Sequence, residues 1–344
     1  MVARSGPNLS RIAASLNVSV ATVSNALSGK GRVSSELAER IRSTAAALGY
    51  VPSQAGRALR TGRSNVLGLV LPDIANPLFP RIAQAIEYAA SVAGYGILIG
   101  DSRGDTGMQN EAISRLIERG VDGLIIVPRR GTRITGAGCP IAVIDTPSTP
   151  GNTVSADHAQ GGQLIGAHLR ILGHRNILLI GNNPTSNVQN DRIDGIRAAL
   201  GDGADTETLW VETLEEREGP GCTLGLARRV EDGITAFAAV SDLAALRALT
   251  ELQRAGVAVP NRVSVTGFDD LIWSSVVSPA LTTVRMDMAT IAEIAIAALV
   301  DAICRNAAAD DLPGVHRLVT APKDRVAMEL VIRQSSAAPG ALAG

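Results

Sequence analysis

The sequence predicts an α/β protein whose larger body follows a small, basic, all-helical module. Two observations lead to this fold class. Before position 50, apolar residues recur at helical spacing in three short segments. From Asn65 onward, short apolar runs such as VLGLVL, GYGILIG, NILLIG and VSVTGF alternate with amphipathic segments. This alternation favours a parallel sheet that is wound on both faces by helices.

Composition limits the class of protein before any motif is considered. The chain has 344 residues, of which 46% are hydrophobic and 19% charged, so about two or three domains are expected at roughly 100 to 200 residues each. There is no apolar run of the roughly 18 residues that a membrane span needs, and no secretory signal at the amino terminus. We therefore expect a soluble, cytoplasmic protein.

Residues that could support catalysis or metal binding are sparse. The chain has three widely separated cysteines, Cys139, Cys222 and Cys304, which suit buried thiols better than a disulfide or zinc site. It lacks an H-E-x-x-H motif, a G-x-S-x-G motif and a P-loop. The sequence therefore predicts no enzyme activity, no metal and no cofactor.

Charge is divided unequally along the chain. The first 63 residues contain nine basic and two acidic side chains, a net charge of +7, whereas the whole chain has a net charge of −1. A basic module attached to an acidic body suggests that nucleic acid binds at one end. The alternative is a basic helical surface that is merely solvated.

The basic module has the pattern of a helix-turn-helix. Apolar residues in 9–16 predict one short helix, and Ser19 can cap a second helix over residues 20–27. A third helix follows either Ser34 or Ser35, each of which could be its N-cap. Together, three helices can enclose a small apolar core.

An ordered series of motifs resembles the lactose-repressor (LacI/GalR) family over nearly the full chain: VSVATVSNAL, GYVPS, RGVDGLIIVP, GHRNILLIG, VSVTGFDD and SPALTTVR. The resemblance implies a sequence-specific, DNA-binding transcriptional regulator, expected to be a repressor, that acts as a homodimer on near-palindromic double-stranded operator DNA. It also implies a small-molecule effector, a sugar or sugar derivative in preference to a nucleobase.

The same resemblance divides the chain into four parts. Residues 1–51 would form the DNA-binding domain, 52–63 a hinge helix and linker, 64–335 the effector-binding and dimerisation domain, and 336–344 a flexible tail. The body is expected to be of the type I periplasmic-binding-protein kind, with two doubly wound α/β subdomains. The chain would cross between the subdomains near Asp157, Arg285 and Leu318.

The resemblance assigns DNA contacts to the second helix and to the hinge. Base edges in the major groove would meet Val20, Ala21 and Asn25. Phosphates would be bound by Ser19, Thr22 and Ser24, although Ser19 is equally suited to be a helix cap. In the minor groove, Leu59 would wedge into a base step beside Arg60; the alternative for Leu59 is an ordinary linker contact. Gly56 stands where alanine is usual and lowers the helix propensity of the hinge by about 1 kcal/mol.

Polar residues that follow the predicted strands are the candidates for effector binding, because doubly wound sheets leave a crevice at the carboxyl ends of their strands. The residues are Asn76, Phe79, Arg103, Asp145, Arg192, Ser241 and Asp269. Carboxylates that accept and a guanidinium that donates hydrogen bonds suit a ligand with several hydroxyl groups. Several alternatives stay open: a helix cap for Asp269, a salt bridge across the cleft for Arg192, a solvated loop for Arg103 and ordinary core packing for Phe79.

A second function from a different class is a solute-binding protein or a sugar-handling enzyme without any role on DNA. This alternative predicts an export signal or a set of catalytic residues. Neither is visible in the sequence, so the regulator is the favoured interpretation.

Overall fold

A computed structural model describes residues 9–29, 32–50, 62–130, 132, 138–308, 319 and 325–340. The chain divides into two compact units, of which the second begins at Asn65. The predicted hinge residues Gly56, Leu59 and Arg60 lie outside the described residues. None of the helices in the described ranges has the length and hydropathy to span a membrane.

The first unit is a three-helix module. Its helices are α1 (Leu9–Leu16), α2 (Val20–Ser28) and α3 (Ser35–Ala47). Ile12, Val23 and Ile41, one from each helix, are fully buried against one another in its core. Ser34 rather than Ser35 caps α3, because its side chain accepts a hydrogen bond from the Leu37 amide at 3.3 Å. The predicted helical module is confirmed.

The second unit begins with a four-stranded parallel sheet of order β2-β1-β3-β4. Its strands are β1 (Val66–Leu71), β2 (Gly96–Asp101), β3 (Gly123–Ile126) and β4 (Ile141–Val143). Three helices cover it: α4 (Leu78–Val92), α5 (Thr106–Glu118) and, much later in the chain, α12 (Met288–Ala308). Leu69 of β1 packs in the core on the side of α4 and α12, and Val70 packs on the side of α5. We call this group of elements the N-lobe.

A second parallel sheet, of order β7-β6-β8-β9, forms the C-lobe. Its strands are β6 (Asn176–Gly181), β7 (Asp205–Trp210), β8 (Ala236–Ala239) and β9 (Ser264–Thr266), and β5 (Ser155–Ala156) precedes it. Its helices are α6 (His158–Leu172), α7 (Asn187–Leu200), α8 (Val211–Glu218), α9 (Leu226–Glu231), α10 (Asp242–Arg254) and α11 (Ile272–Val276). Alternate residues of β6 face opposite sides, since Leu179 packs with α6 and α7 while Leu178 packs with α9 and α10.

The chain passes between the lobes near the positions that the resemblance implied. It leaves the N-lobe after β4 and enters α6, and it returns between β10 (Thr283–Arg285) and α12. The last crossing follows Val319, whose amide donates to Ile141 of the N-lobe sheet at 3.0 Å, and precedes β11 (Arg325–Val326), which pairs with β5. Leu318 itself lies outside the described residues. A final strand, β12 (Glu329–Val331), pairs antiparallel with β10.

The packed body extends past position 335, which corrects the expected start of a flexible tail at 336. The Ser336 hydroxyl lies 2.9 Å from His168 Nε2, and the Ala337 carbonyl lies 2.9 Å from His174 Nε2. His174 is buried and also contacts the Ser264 hydroxyl at 3.0 Å. These hydrogen bonds fix Ser336 and Ala337 against the C-lobe.

Candidate functional site

The start of α2 is shaped by Ser19. Its hydroxyl accepts a hydrogen bond from the Thr22 amide at 3.0 Å and lies 2.8 Å from the Thr22 hydroxyl. Gly29, with φ of +65°, ends the helix in the left-handed conformation that glycine adopts easily. Ser19 therefore caps α2 in this structure, and both the amide and the hydroxyl of Thr22 contact the capping hydroxyl.

The remaining predicted DNA contacts lie on one accessible side of α2. Val20 is 43% exposed, and Ala21 and Asn25 are exposed as well, whereas Val23 on the opposite face is fully buried. Ser24 is half-buried. A helix that presents small and amide side chains away from its core has the geometry needed to enter a major groove.

In the body, a cavity of about 1130 Å³ lies between the two lobes. We call it the interlobe cavity. It brings together six of the seven side chains predicted for the effector, all of which follow the carboxyl ends of strands: Asn76, Phe79, Asp145, Arg192, Ser241 and Asp269. This is the crevice that doubly wound sheets leave at those ends.

Arg103 is the predicted residue that the structure does not bring to the cavity. Its side chain is exposed, and its backbone, with φ of +49°, forms a turn in which its amide donates to Asp101 at 3.2 Å. The physical reason is local, because this turn comes directly after β2 and leaves the Arg103 side chain in solvent. Arg103 therefore lies in a solvent-exposed loop, which is the alternative that the sequence left open for it.

A buried ion pair joins Arg192 and Asp269. The guanidinium and the carboxylate lie 3.0 Å apart, and each side chain is only 4% exposed. Arg192 also donates to the Val240 carbonyl at 2.7 Å, and its guanidinium carbon lies 3.9 Å from the ring centre of Phe268. Cation, carboxylate and aromatic face thus form one fixed group at the C-lobe wall of the cavity.

Burial dominates the electrostatics of this pair. It raises the pKa of Asp269 to about 7, although Arg192 acts in the opposite direction, and it lowers the pKa of Arg192. Asp269 Oδ1 is buried and lies 3.0 Å from Arg192 Nη1, which is its charged partner. A carboxylate has about four lone-pair sites, so beside this pairing it can still accept a hydrogen bond from a hydroxyl group bound in the cavity.

The other predicted residues are held by local hydrogen bonds. Ser241 caps α10 by accepting from the Ala244 amide at 3.2 Å, and Asn76 accepts from the Leu78 amide at 3.1 Å. Phe79 is half-buried; it packs against the N-lobe core and also lines the cavity, so both of its open interpretations describe its position.

Asp145 is the second acidic group of the cavity and comes from the N-lobe. Burial raises its pKa to about 6; a hydrogen bond from the Thr149 hydroxyl lowers the pKa, and the neighbouring Asp191 carboxylate raises it. Two carboxyl groups, Asp145 and Asp269, therefore face the cavity from opposite lobes with pKa values near neutrality.

Sequence reasoning missed His158, the first residue of α6. Its Nδ1 accepts a hydrogen bond from Arg192 Nε at 3.3 Å, and its ring also bonds the backbone of Asp145. Burial, together with the charge of Arg192, holds the pKa of His158 well below its usual range, so the ring is neutral. It follows a strand of two residues, which is too short for an apolar pattern to reveal.

Sequence reasoning also missed the glycines that bring α6 and α7 into close contact. A Cβ atom at Gly162, Gly166 or Gly195 would lie under 3.0 Å from a backbone carbonyl oxygen of the facing helix. For Gly162 that oxygen belongs to Arg192. The spacing of four between Gly162 and Gly166 was a usable signal for close helix packing.

Comparison with known proteins agrees with this architecture. A model of the lacI family of bacterial regulatory proteins matches residues 8–53, and a model of a periplasmic binding protein-like domain matches residues 167–336. An HTH-type transcriptional regulator in the aml 5' region of Streptomyces limosus is 31% identical over 348 residues, which cover 96% of this chain and 95% of that protein.

Two solved structures share the fold. The lac repressor dimer bound to operator and the anti-inducer ONPF has a TM-score of 0.77 at 22% identity, covering 97% of this chain and 100% of that one. The complex of the transcriptional regulator CelR with cellobiose has a TM-score of 0.65 at 24% identity, covering 96% and 99%. The predicted fold class, a helix-turn-helix module before a periplasmic-binding-protein-like α/β body, is confirmed.

Proposed function

The chain belongs to the lacI family of bacterial regulatory proteins, and on this basis we propose that a sugar or sugar derivative in the interlobe cavity controls its affinity for operator DNA. It is a DNA-binding transcriptional regulator, as the sequence predicted. We further propose that it acts in the cytoplasm as a repressor and has no enzyme activity.

The single observation that carries this proposal is the buried Arg192–Asp269 pair at the cavity wall. A guanidinium presents donors in a fixed fork, and the Asp269 carboxylate can accept more hydrogen bonds than its pairing with Arg192 uses. Asp145 and Asn76 add acceptors from the opposite lobe. Several converging donors and acceptors match a ligand that carries hydroxyl groups on more than one side.

The apolar part of the cavity favours a sugar over a nucleobase. Phe79 is the only Phe, Tyr or Trp side chain among its described lining residues. One ring can cover one face of a pyranose or furanose, whereas stacking a planar base on both faces needs two rings. CelR, which shares the fold, is bound to cellobiose in its solved structure.

For DNA we propose that Val20, Ala21 and Asn25 meet base edges, and that Ser19, Thr22 and Ser24 bind phosphates. The exposure of Val20, Ala21 and Asn25 on α2 supports the base contacts, and Ser19, which caps α2, is exposed as well. Leu59 and Arg60, which lie outside the described residues, are proposed to enter the minor groove at the centre of the site.

We propose a homodimer because each lobe exposes large apolar side chains. Tyr88 and Val92 are exposed on α4, and Ile272 and Val276 on α11. Each pair lies one helical turn apart, and exposed apolar side chains that adjoin one another in this way are typical of protein contacts. A twofold dimer would read a near-palindromic operator, since two-fold protein symmetry is mirrored by two half-sites.

Regulation would follow from the cavity lying between lobes. A bound ligand that contacts both lobes changes the angle between them, and this would order or melt the paired hinge segments on DNA. The coupling is reciprocal, so an effector that weakens operator binding is itself bound more weakly by the DNA-bound form.

Two measurements on the full-length protein test this proposal. The first is a thermal-shift screen with D-ribose, D-galactose, maltose, cellobiose, polyols, adenine and hypoxanthine, in which a sugar should raise the melting temperature. The second is selection of genomic fragments, with and without each compound, which should enrich a near-palindromic site. The Arg192→Ala variant should retain the site but lose the response to the sugar.

Three results would contradict the proposal in different ways. Enrichment of no palindromic site would remove the DNA function and favour a solute-binding protein. A melting temperature raised by nucleobases alone would replace the effector class. An Arg192→Ala variant that responds to the sugar like the wild type would remove the cavity from the mechanism.

A further inference from the structure

The turn at Asp269 and Asp270 has an unusual backbone conformation. Both residues are non-glycine yet have positive φ, +108° and +47°. Such backbone persists only where surrounding contacts hold it. Asp269 supplies the cavity carboxylate, so the contacts that hold the turn also position this acceptor.

Four arginines hold the turn, each at a different atom. Arg192 pairs with the Asp269 carboxylate, and the Asp270 carboxylate is bound by Arg285 at 2.7 Å and by Arg333 at 2.6 Å. The backbone carbonyls of the turn are left for a fourth guanidinium. That guanidinium belongs to Arg81.

Arg81 reaches the turn from the other lobe. It lies on α4 of the N-lobe, and its Nη1 donates to the Asp269 carbonyl at 3.2 Å and to the Asp270 carbonyl at 2.7 Å. The other three arginines lie on α7, on β10 and just after β12, all packed with the C-lobe. Arg81 is half-buried, and it does not line the cavity itself.

We infer that Arg81 is a positioning residue that ties the effector-binding turn at Asp269 to the N-lobe, so that lobe closure and the placement of the Asp269 carboxylate depend on each other. The inference rests on the proposed function of the cavity. Charged donors on carbonyl acceptors are among the stronger hydrogen bonds, and here they join two bodies that must move relative to one another.

The Asp269 carboxylate and the Arg81 guanidinium also interact electrostatically. The positive charge of Arg81 lowers the pKa of Asp269, against the larger effect of burial, which raises it. Separation of the lobes would take this charge away from Asp269 and leave the turn without its carbonyl donors. A ligand that bonds to Asp269 therefore binds best when the lobes are held as they are in this structure.

The test measures the distance between lobes in the full-length protein. Spin labels are attached at exposed positions of each lobe, Glu118→Cys on α5 and Arg254→Cys on α10, after the native cysteines Cys139, Cys222 and Cys304 have been replaced by serine. Doubly labelled chains are mixed with an excess of unlabelled chains, so that distances within one protomer dominate. Double electron–electron resonance then gives the distance distribution without any ligand.

Arg81→Met removes the donors while keeping the length of the side chain, and should broaden this distribution toward longer distances. Arg81→Lys, which keeps a cation that can donate to one carbonyl, should give an intermediate distribution. The control is Arg119→Met, an exposed arginine of the same lobe, which should match the wild type. A distribution for Arg81→Met that equals the wild type, or equal broadening in Arg119→Met, overturns the inference.

A second readout separates positioning from general stability. For whichever of ribose, galactose, maltose or cellobiose raises the melting temperature of the wild type, Arg81→Met should weaken binding about ten-fold, because fewer molecules are held in the competent arrangement. Arg119→Met should bind that sugar like the wild type, and equal binding by Arg81→Met counts against the inference. If none of these sugars binds, the proposed function fails while the distance measurement still decides the role of Arg81.

Discussion

The contact between α6 and α7 makes the substitution Gly162→Ala a sharp probe of how Arg192 is placed. A methyl group at Gly162 would lie under 3.0 Å from the Arg192 carbonyl oxygen and 3.0 Å from the Ile196 amide nitrogen. These are backbone atoms of a facing helix, so no side chain can rotate away. The helices must separate, and α7 carries the effector-binding guanidinium with it.

The expected change in the free energy of unfolding caused by Gly162→Ala is the balance of two opposing effects. Overpacking in a closely packed core costs typically about 1–3 kcal/mol, and the backbone character of this clash places it at the upper end. Replacing glycine by alanine in a helix returns about 1 kcal/mol of propensity. We expect Gly162→Ala to lower the free energy of unfolding by about 2 kcal/mol and the melting temperature by roughly 4–8 °C.

The assay compares melting temperatures of full-length variants with and without the sugar found in the screen. The control is Gly96→Ala, an exposed position at the start of β2 where no atom beyond the chain neighbours lies within 4 Å of the new methyl group. The control should be as stable as the wild type and keep its response to sugar. A Gly162→Ala variant that melts at or above the wild-type temperature would refute the close-packing explanation.

Three further predictions concern single side chains. Asn25→Ala should weaken specific operator binding by about 1–3 kcal/mol in a gel-shift titration and leave nonspecific DNA binding unchanged. The control Ser43→Ala, on α3, should change neither kind of binding. Equal loss of specific and nonspecific binding in Asn25→Ala would contradict base readout. Ser19→Ala should lower the stability of the helical module by about 1 kcal/mol, followed by urea unfolding, and an unchanged midpoint would argue against the cap. Burial raises the pKa of Asp145 to about 6 and that of Asp269 to about 7, so both carboxylates gain a proton and become poorer acceptors as the pH falls from about 8 to about 5. Calorimetry should therefore show sugar binding that weakens over this range, and Asp145→Asn should reduce the part of the dependence around about pH 6. An undiminished slope around that pH in Asp145→Asn would exclude Asp145 as a source.

Much of the fold could be predicted because each element obeys a local rule. Apolar runs became strands, which are buried in β1 and β6 and partly exposed in β2, and Ser19 became the cap of the helix it precedes. The rule that places polar residues after strands at the crevice succeeded for Asp145, Arg192 and Asp269. It failed for Arg103, since the turn that directs this side chain into solvent is not contained in the apolar pattern.

The features that the sequence did not reveal depend on contacts between elements that lie far apart along the chain. His158 has no role until β4 and α7 approach it from two sides. Ser336 and Ala337 look like the beginning of a loose tail until two C-lobe histidines meet them. Arg81 is one of many helical arginines, and its partners are carbonyl groups 188 and 189 positions away. Contacts of this range require the folded chain.

The distribution of the cavity residues between lobes explains why a ligand there can act as a switch. A ligand shifts a conformational equilibrium only by its difference in affinity for the two states. Asn76, Phe79 and Asp145 come from the N-lobe, whereas Arg192 and Asp269 come from the C-lobe. A ligand held by both sets loses one set when the lobes separate, so its affinity depends on the angle between them. Moving a two-state equilibrium from about 1:99 to about 99:1 takes roughly 5.5 kcal/mol, and hydrogen bonds to charged groups contribute roughly 1.5–3 kcal/mol each. About two to four such bonds to the N-lobe are therefore enough, and its charged lining residues, among them Asp73, Arg129 and Asp145, can form them.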